Sequence, residues 1–377
     1  MSTQIRPFRI EIPQADLDDL NTRLARTRWP RQLPGGGWSR GVPVSYLADL
    51  ARYWHTGYDW RAREAQLNEF PQYTTEIDGL SIHFMHVRSA EPGALPLILT
   101  HGWPNSITEF TRLIGPLTDP RAHGGDPARA FHVVAASVPG FGFSDAPRET
   151  GFSTARVASM WAELMSRLGY DRYGTQGGDL GAYVAPAVAQ AAPGHVVGVY
   201  VISGLGFPTE NDVPEMTEAE RAAYARLQEQ DWMSGVSHHA LLRAAPQTFA
   251  YGWHDSPIGL LAWMMQKFRE FGTTGEPPEQ VIDLDLILTN VSLYWLTGTE
   301  GSSSWPYYDS TSSAWPPGQT AAPTGVYSGP PGIRRLAERH NTIIHWPDDN
   351  PGSHHFVAMQ EPGAVAADIG AFFAKLR

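Results

Sequence analysis

An acidic residue sits at the centre of a turn that α/β folds usually build around a hydroxyl nucleophile: Gly177-Gly178-Asp179-Leu180-Gly181, directly after Asp171-Arg172-Tyr173-Gly174-Thr175-Gln176. The small-x-nucleophile-x-small pattern lets a strand bend sharply into a helix with its central side chain exposed at the bend. A strand should therefore end here and a helix begin. The carboxylate also selects chemistry. Attack by Asp on an acyl carbon would give an anhydride, whereas attack on a saturated carbon gives an alkyl ester that water can later cleave. This points away from esterases and proteases and toward an sp³ carbon with a leaving group, an epoxide or an alkyl halide. The plainer alternative is a glycine-rich turn with an Asp capping the helix.

The rest of the chain supplies a setting for such a bend. Gln14 to Trp29 and Gly41 to Trp60 carry apolar residues at helical spacing, separated by the loop Leu33-Pro34-Gly35-Gly36-Gly37. Leu80 to Val87 alternates, which predicts a strand with one wet face and puts His83 and His86 on opposite faces, a poor metal pair. Leu95 to Thr100 and Phe131 to Val138 are near-continuous apolar runs, as buried parallel strands are. Ser153 to Leu168 reads as a Ser-capped helix, Arg172 to Gln176 as the strand into the bend, Leu180 to Ala192 as the helix leaving it, and Val196 to Ser203 as the next strand. This alternation predicts an α/β protein with a mostly parallel central sheet and helices on both faces. It then fails: Phe207 to Thr297 reads as a long helical stretch, including Met216 to Asp231, Pro257 to Glu270 and Asp283 to Leu296, and an insertion of this kind usually forms a cap. Thr324 to Ser328 and Thr342 to Trp346 return to sheet, and Ala364 to Leu376 closes as a helix. The expected division is a meander over 1–92, core over 93–206, cap over 207–300 and core over 301–377.

A length of 377 residues suits one large α/β domain with additions. The net charge of −11 argues against nucleic acid or an anionic membrane as partner. Zero cysteines excludes thiolate catalysis and disulfides. No run approaches the ~20 apolar residues of a membrane helix, so a cytoplasmic protein is expected, with homo-oligomerisation left open. No ligand spacing or phosphate-cradling loop implies a metal or cofactor.

His101-Gly102-Trp103-Pro104 follows the run Leu95 to Thr100, where this architecture supplies one oxyanion-hole donor. The backbone N–H groups of Trp103 and Leu180 are the expected pair. Together with Gly177-Gly178-Asp179, Asp255-Ser256-Pro257-Ile258-Gly259-Leu260-Leu261-Ala262-Trp263 and Thr289-Asn290-Val291-Ser292-Leu293-Tyr294-Trp295, this segment resembles the microsomal-type epoxide hydrolases over nearly the whole chain. The resemblance implies an α/β-hydrolase fold with an N-terminal meander and a helical cap, acting on a small-molecule epoxide that is hydrophobic or aromatic.

It also implies roles. Asp179 would be the nucleophile and His355, in Ser353-His354-His355-Phe356, the base. His354 stands where the family has glycine. Tyr307, with Tyr308 beside it, matches one of two cap tyrosines that donate a proton. The other position holds His238, which either donates one hydrogen bond or lines the pocket; Tyr251 is a substitute. The acid that orients the base falls on Gly332, and the alternative position, after the strand Val196 to Ile202, on Ser203. Glu338 reads as helix surface, and Asp348 and Asp349 as a solvated turn, leaving the acid unassigned. A missing acid hurts ester hydrolysis most. Three readings follow, in order: an epoxide hydrolase making a diol, a non-hydrolytic opening of a bulky natural-product epoxide, and a non-catalytic binding protein. Haloalkane dehalogenation is a weaker rival.

Overall fold

The computed structural model describes residues 4–32, 34–202, 205–206, 208–229, 238–272, 275–308, 322–327, 333–347 and 355–377. Nine strands form one sheet: β1 Arg6–Phe8, β2 Gln72–Ile77, β3 Leu80–Val87, β4 Leu95–Thr100, β5 Phe131–Ala136, β6 Tyr173–Gly178, β7 Val196–Ile202, β8 Thr324–Tyr327 and β9 Ile343–His345, in the order β1-β2-β3-β5-β4-β6-β7-β8-β9. The pairs from β1 to β5 through β3 are antiparallel, and all the others are parallel. With helices on both sides this is the α/β-hydrolase fold expected. The chain crosses over between β3 and β6, placing β4 and β6 side by side, with Thr100 opposite Gly177. Two loops after parallel strands therefore meet at one edge of the sheet, where open α/β sheets bind ligands.

Both faces of the sheet are covered. Along β4, Ile98 packs in one apolar layer with the helices Thr154–Arg167 and Leu180–Ala191, while Leu97 and Leu99 pack in the other with Ile114–Thr118 and Pro362–Phe373. The first layer continues without a break into the insertion, through Leu260, Leu261, Met264 and Phe268 of Pro257–Glu270 and Ile287, Leu288 and Val291 of Leu284–Thr297. Side-chain bonds join the N-terminal segment to the same insertion: Tyr46 Oη donates to Glu279 at 2.6 Å, Tyr53 Oη to Asp285 at 2.8 Å, and Trp54 Nε1 to Ser292 at 2.9 Å.

Several expectations need correction. The first helix is Gln14–Ala25, ending before Trp29, because the backbone turns at Arg26 and Thr27 Oγ1 bonds back to Leu24 O. The second is Val44–Thr56, starting after Pro43 and broken at Gly57; a separate helix Trp60–Leu67 follows, capped by Asp59, which accepts from Ala62 N. β3 has no wet face. His83 accepts or donates between Ser137 and Gln72, His86 pairs with Tyr170, and both are buried because β3 lies inside the sheet with β2 folded beside it. Burial pushes His83 down to about 3 and His86 to about 4, so both are neutral. The helices His238–Ala244 and Pro246–Asp255 lie within the helical stretch expected over Phe207 to Thr297.

Close approach makes one glycine indispensable. A Cβ on Gly181 would lie 2.0 Å from the Thr100 carbonyl oxygen, backbone against backbone, so neither side can yield cheaply. Gly181→Ala should lower unfolding free energy by about 3 kcal/mol, read as a drop in urea midpoint at unchanged slope; an unshifted midpoint would show that this contact is not tight.

Candidate active site

β6 runs straight into the bend, and Asp179 takes φ 51° and ψ −119°. A non-glycine residue pays about 1–3 kcal/mol to sit there, a strain that clusters at functional sites. The position precedes the helix Leu180–Ala191, yet the carboxylate makes no capping bond to it. Oδ1 instead accepts the backbone N–H of Trp103 at 2.9 Å. This disposes of the plain capping alternative. The approach needs Gly102, where a Cβ would fall 2.4 Å from Asp179 Cβ and 2.5 Å from Oδ1. Leu180 is the first residue of its helix, so its N–H has no partner within the helix and faces the same end.

The loop carrying Trp103 is fixed from below by His101. Its Nε2 accepts the Val138 N–H at 3.2 Å, which leaves the proton on Nδ1, 3.1 Å from Gly102 O. Burial depresses this imidazole to about 4, so the tautomer is held by geometry and not by charge.

Residues from the helical insertion and from the segment after it close over this floor. His238, 4% exposed, stacks on the Trp103 indole at 5.3 Å and 13° between planes, and meets Phe271 at 5.0 Å and Tyr307 at 5.2 Å. Its Nδ1 is buried with no hydrogen-bond partner among the described residues. Burial, with His239 and Lys267 adding to it, pushes this ring down to about 2, so it is neutral. Tyr307 is placed by the short helix Trp305–Tyr308, which is pinned to the loop after β5: Trp305 Nε1 donates to Pro139 O at 2.8 Å and Ser302 Oγ to Gly140 O at 2.7 Å. Burial first, then the charge of Asp179, raises the Tyr307 phenol well above its ordinary value, keeping it protonated.

His355 lies against Phe271, ring centroids 4.8 Å apart. Burial lowers its pKa, opposed by the Asp179 charge and the Trp103 backbone, and among the described residues its buried Nε2 has no hydrogen-bond partner. Among the described residues the carboxylate that acts on His355 is Asp179 itself. Gly332, Ser203, His354, Asp348 and Asp349 lie outside the described residues; Glu338 ends the helix Arg334–Ala337, paired with Arg334 at 2.8 Å.

Asp179, Trp103, His238, Tyr307 and His355 thus share one site. Tyr251 is not brought to it: the buried positions of its helix are Ala250 and Trp253, so Tyr251 points outward and is 71% exposed. Tyr308, next to Tyr307 on its helix, is 48% exposed. Sequence reasoning missed Tyr183 and Glu109. Both feel the Asp179 charge, and burial pushes Glu109 up to about 8 despite a 3.0 Å bond from Asn105 Nδ2. The only sequence signal for Glu109 was a charge inside the apolar stretch Ile107-Thr108-Glu109-Phe110. Among the described residues no three or more His, Asp or Glu converge in a way that could hold a metal ion, and no helix is long and apolar enough to cross a membrane.

Comparison with known proteins supplies the family. Residues 5–110 match the family model for the epoxide hydrolase N terminus and residues 96–276 that for the alpha/beta hydrolase fold. A putative epoxide hydrolase of Stigmatella aurantiaca is 42% identical, covering 99% of this chain and 86% of that protein, and epoxide hydrolase 1 of Oryctolagus cuniculus is 32% identical, covering 98% and 88%. Among solved structures, the juvenile hormone epoxide hydrolase of the silkworm Bombyx mori superposes with a TM-score of 0.89 at 27% identity, covering 100% of this chain and 95% of that one. The epoxide hydrolase of Aspergillus niger gives 0.85 at 28% identity, covering 99% and 97%. With a strained Asp bend, a backbone donor on its carboxylate and relatives of this identity along its whole length, the chain belongs to the microsomal-type epoxide hydrolase family.

Proposed function

We propose that the protein hydrolyses an epoxide to a vicinal diol through an alkyl ester on Asp179. The 2.9 Å bond from the Trp103 N–H to Oδ1 carries this reading, because it orients the carboxylate and leaves Oδ2 to attack. In the first step Oδ2 attacks a ring carbon, the carbon–oxygen bond of the epoxide breaks, and its oxygen takes the phenolic proton of Tyr307. His238, neutral and with Nδ1 unpaired, offers that oxygen a hydrogen bond from the same cavity. In the second step a water gives a proton to His355 Nε2 and attacks the ester carbonyl. The oxyanion forms on Oδ1, held by the Trp103 and Leu180 N–H groups. Collapse breaks the acyl–oxygen bond, the His355 proton goes to the departing diol oxygen, and the proton left on Asp179 restores Tyr307.

Aromatic walls from Trp103, His238 and Phe271 favour a hydrophobic or aromatic epoxide, including a natural product with fused rings. In this reading residues 207–300 are the cap, 1–92 the meander, and 93–206 and 301–377 the two parts of the core; the acidic chain acts in the cytoplasm without nucleic acid or membrane. Non-hydrolytic opening has no observation that favours it over hydrolysis.

Asp179→Asn should abolish turnover of styrene oxide, and His355→Gln should accumulate an adduct on the Asp179 peptide, read by mass spectrometry after a single turnover. A His355→Gln enzyme that makes product with no adduct would sink the ester route. Tyr307→Phe should slow ring opening about 10²-fold with little change in KM. Because the base must be neutral and burial lowers the His355 pKa, kcat/KM should hold through neutral pH and fall only below the ordinary imidazole value. A decline that begins above that value would exclude His355 as the base.

A further inference from the structure

The segment Thr289-Asn290-Val291-Ser292-Leu293-Tyr294-Trp295 has no role in the mechanism above, yet Thr289, Asn290, Ser292 and Tyr294 are buried and hydrogen-bonded. Asn290 is completely buried. Its Nδ2 donates to Pro104 O at 2.7 Å, and its Oδ1 accepts from Ser106 Oγ at 2.7 Å and Thr108 Oγ1 at 2.9 Å. The amide can sit only this way round, since the flipped form would set its oxygen against the Pro104 carbonyl. One turn on, Tyr294 Oη donates to Asn105 O at 2.7 Å. Residues four apart lie on one helical face, so a single face of Leu284–Thr297 grips three consecutive residues, Pro104, Asn105 and Ser106, directly after Trp103. The opposite side of the helix is held by the N-terminal segment, with Tyr58 Oη on Thr289 Oγ1 at 3.0 Å and Trp54 Nε1 on Ser292 Oγ at 2.9 Å.

We infer that Asn290 and Tyr294 are positioning residues that aim the Trp103 N–H at Asp179 Oδ1 from the cap side. This rests on the reading of Asp179 as nucleophile. The donor itself belongs to a loop with no regular structure, and a backbone donor stabilises charge only while it points at the developing oxyanion. His101 fixes that loop at Gly102, before the donor, and the helix fixes it from Pro104 onward. The same oxygen is a spectator in ring opening and carries the charge in ester hydrolysis. Loss of either tie therefore falls on the second step.

The test uses the full chain with styrene oxide. Alkylation and hydrolysis rates are measured separately by rapid quench and mass spectrometry of the Asp179 peptide, alongside the thermal midpoint. Tyr294→Phe keeps the ring volume and removes one donor; Asn290→Ala removes all three bonds. The expected result is hydrolysis slowed about tenfold in each, alkylation and KM near wild type, and accumulated adduct. Tyr58→Phe, which loosens only the far side of the helix, should leave both rates unchanged. Equal slowing of both steps, or wild-type hydrolysis in Tyr294→Phe and Asn290→Ala, overturns the inference. An adduct missing even from His355→Gln overturns the Asp179 reading instead, so the two failures are distinguishable.

Discussion

The hydrogen bond between the Trp103 N–H and the Asp179 carboxylate holds the site together, and much of the fold is explained by what it takes to make it. The donor comes from the loop after β4 and the acceptor from the bend after β6, so the two strands must be neighbours in register. Their approach is so close that side chains are excluded at Gly102 and Gly181. The strained backbone at Asp179 is the energetic counterpart of that crowding. A sheet buried on both faces is rigid enough to carry it.

Electrostatics in the cavity follow from burial more than from charge pairs. Desolvation is the first cause at Tyr307, His238, His355 and Glu109: it keeps the phenol protonated and the imidazoles neutral, and it pushes the Glu109 carboxyl up to about 8. The carboxylate of Asp179 thus faces a phenol and two imidazoles that burial keeps uncharged. In the proposed mechanism an acid and a base then work side by side, each in the form its task requires.

The bend, the parallel strands and the helices Pro257–Glu270 and Leu284–Thr297 were legible because each has a strong local signal: Gly spacing, unbroken apolar runs, or a Pro or Asp at the helix start. Other features depend on tertiary context. The break at Gly57 interrupts a pattern that reads as one helix, and the burial of His83 comes from Gln72 and Ser137, which no local pattern links to it. Tyr251 does not stand in for the second tyrosine as expected. The phase set by Ala250 and Trp253 turns it away. His238 was reached by register with a resemblance, and its ambiguity between donor and wall narrows only when its stacking and its unpaired nitrogen are seen.

Trp103 faces two ways. Its peptide nitrogen grips the Asp179 carboxylate, while its indole is a panel of the chamber, pressed flat against the His238 imidazole and edged by a phenol. Reshaping the chamber for another guest by changing that panel's neighbours would tug on the grip as well. Selectivity and speed in this enzyme are therefore tethered at a single residue, and variants chosen for one should drift in the other.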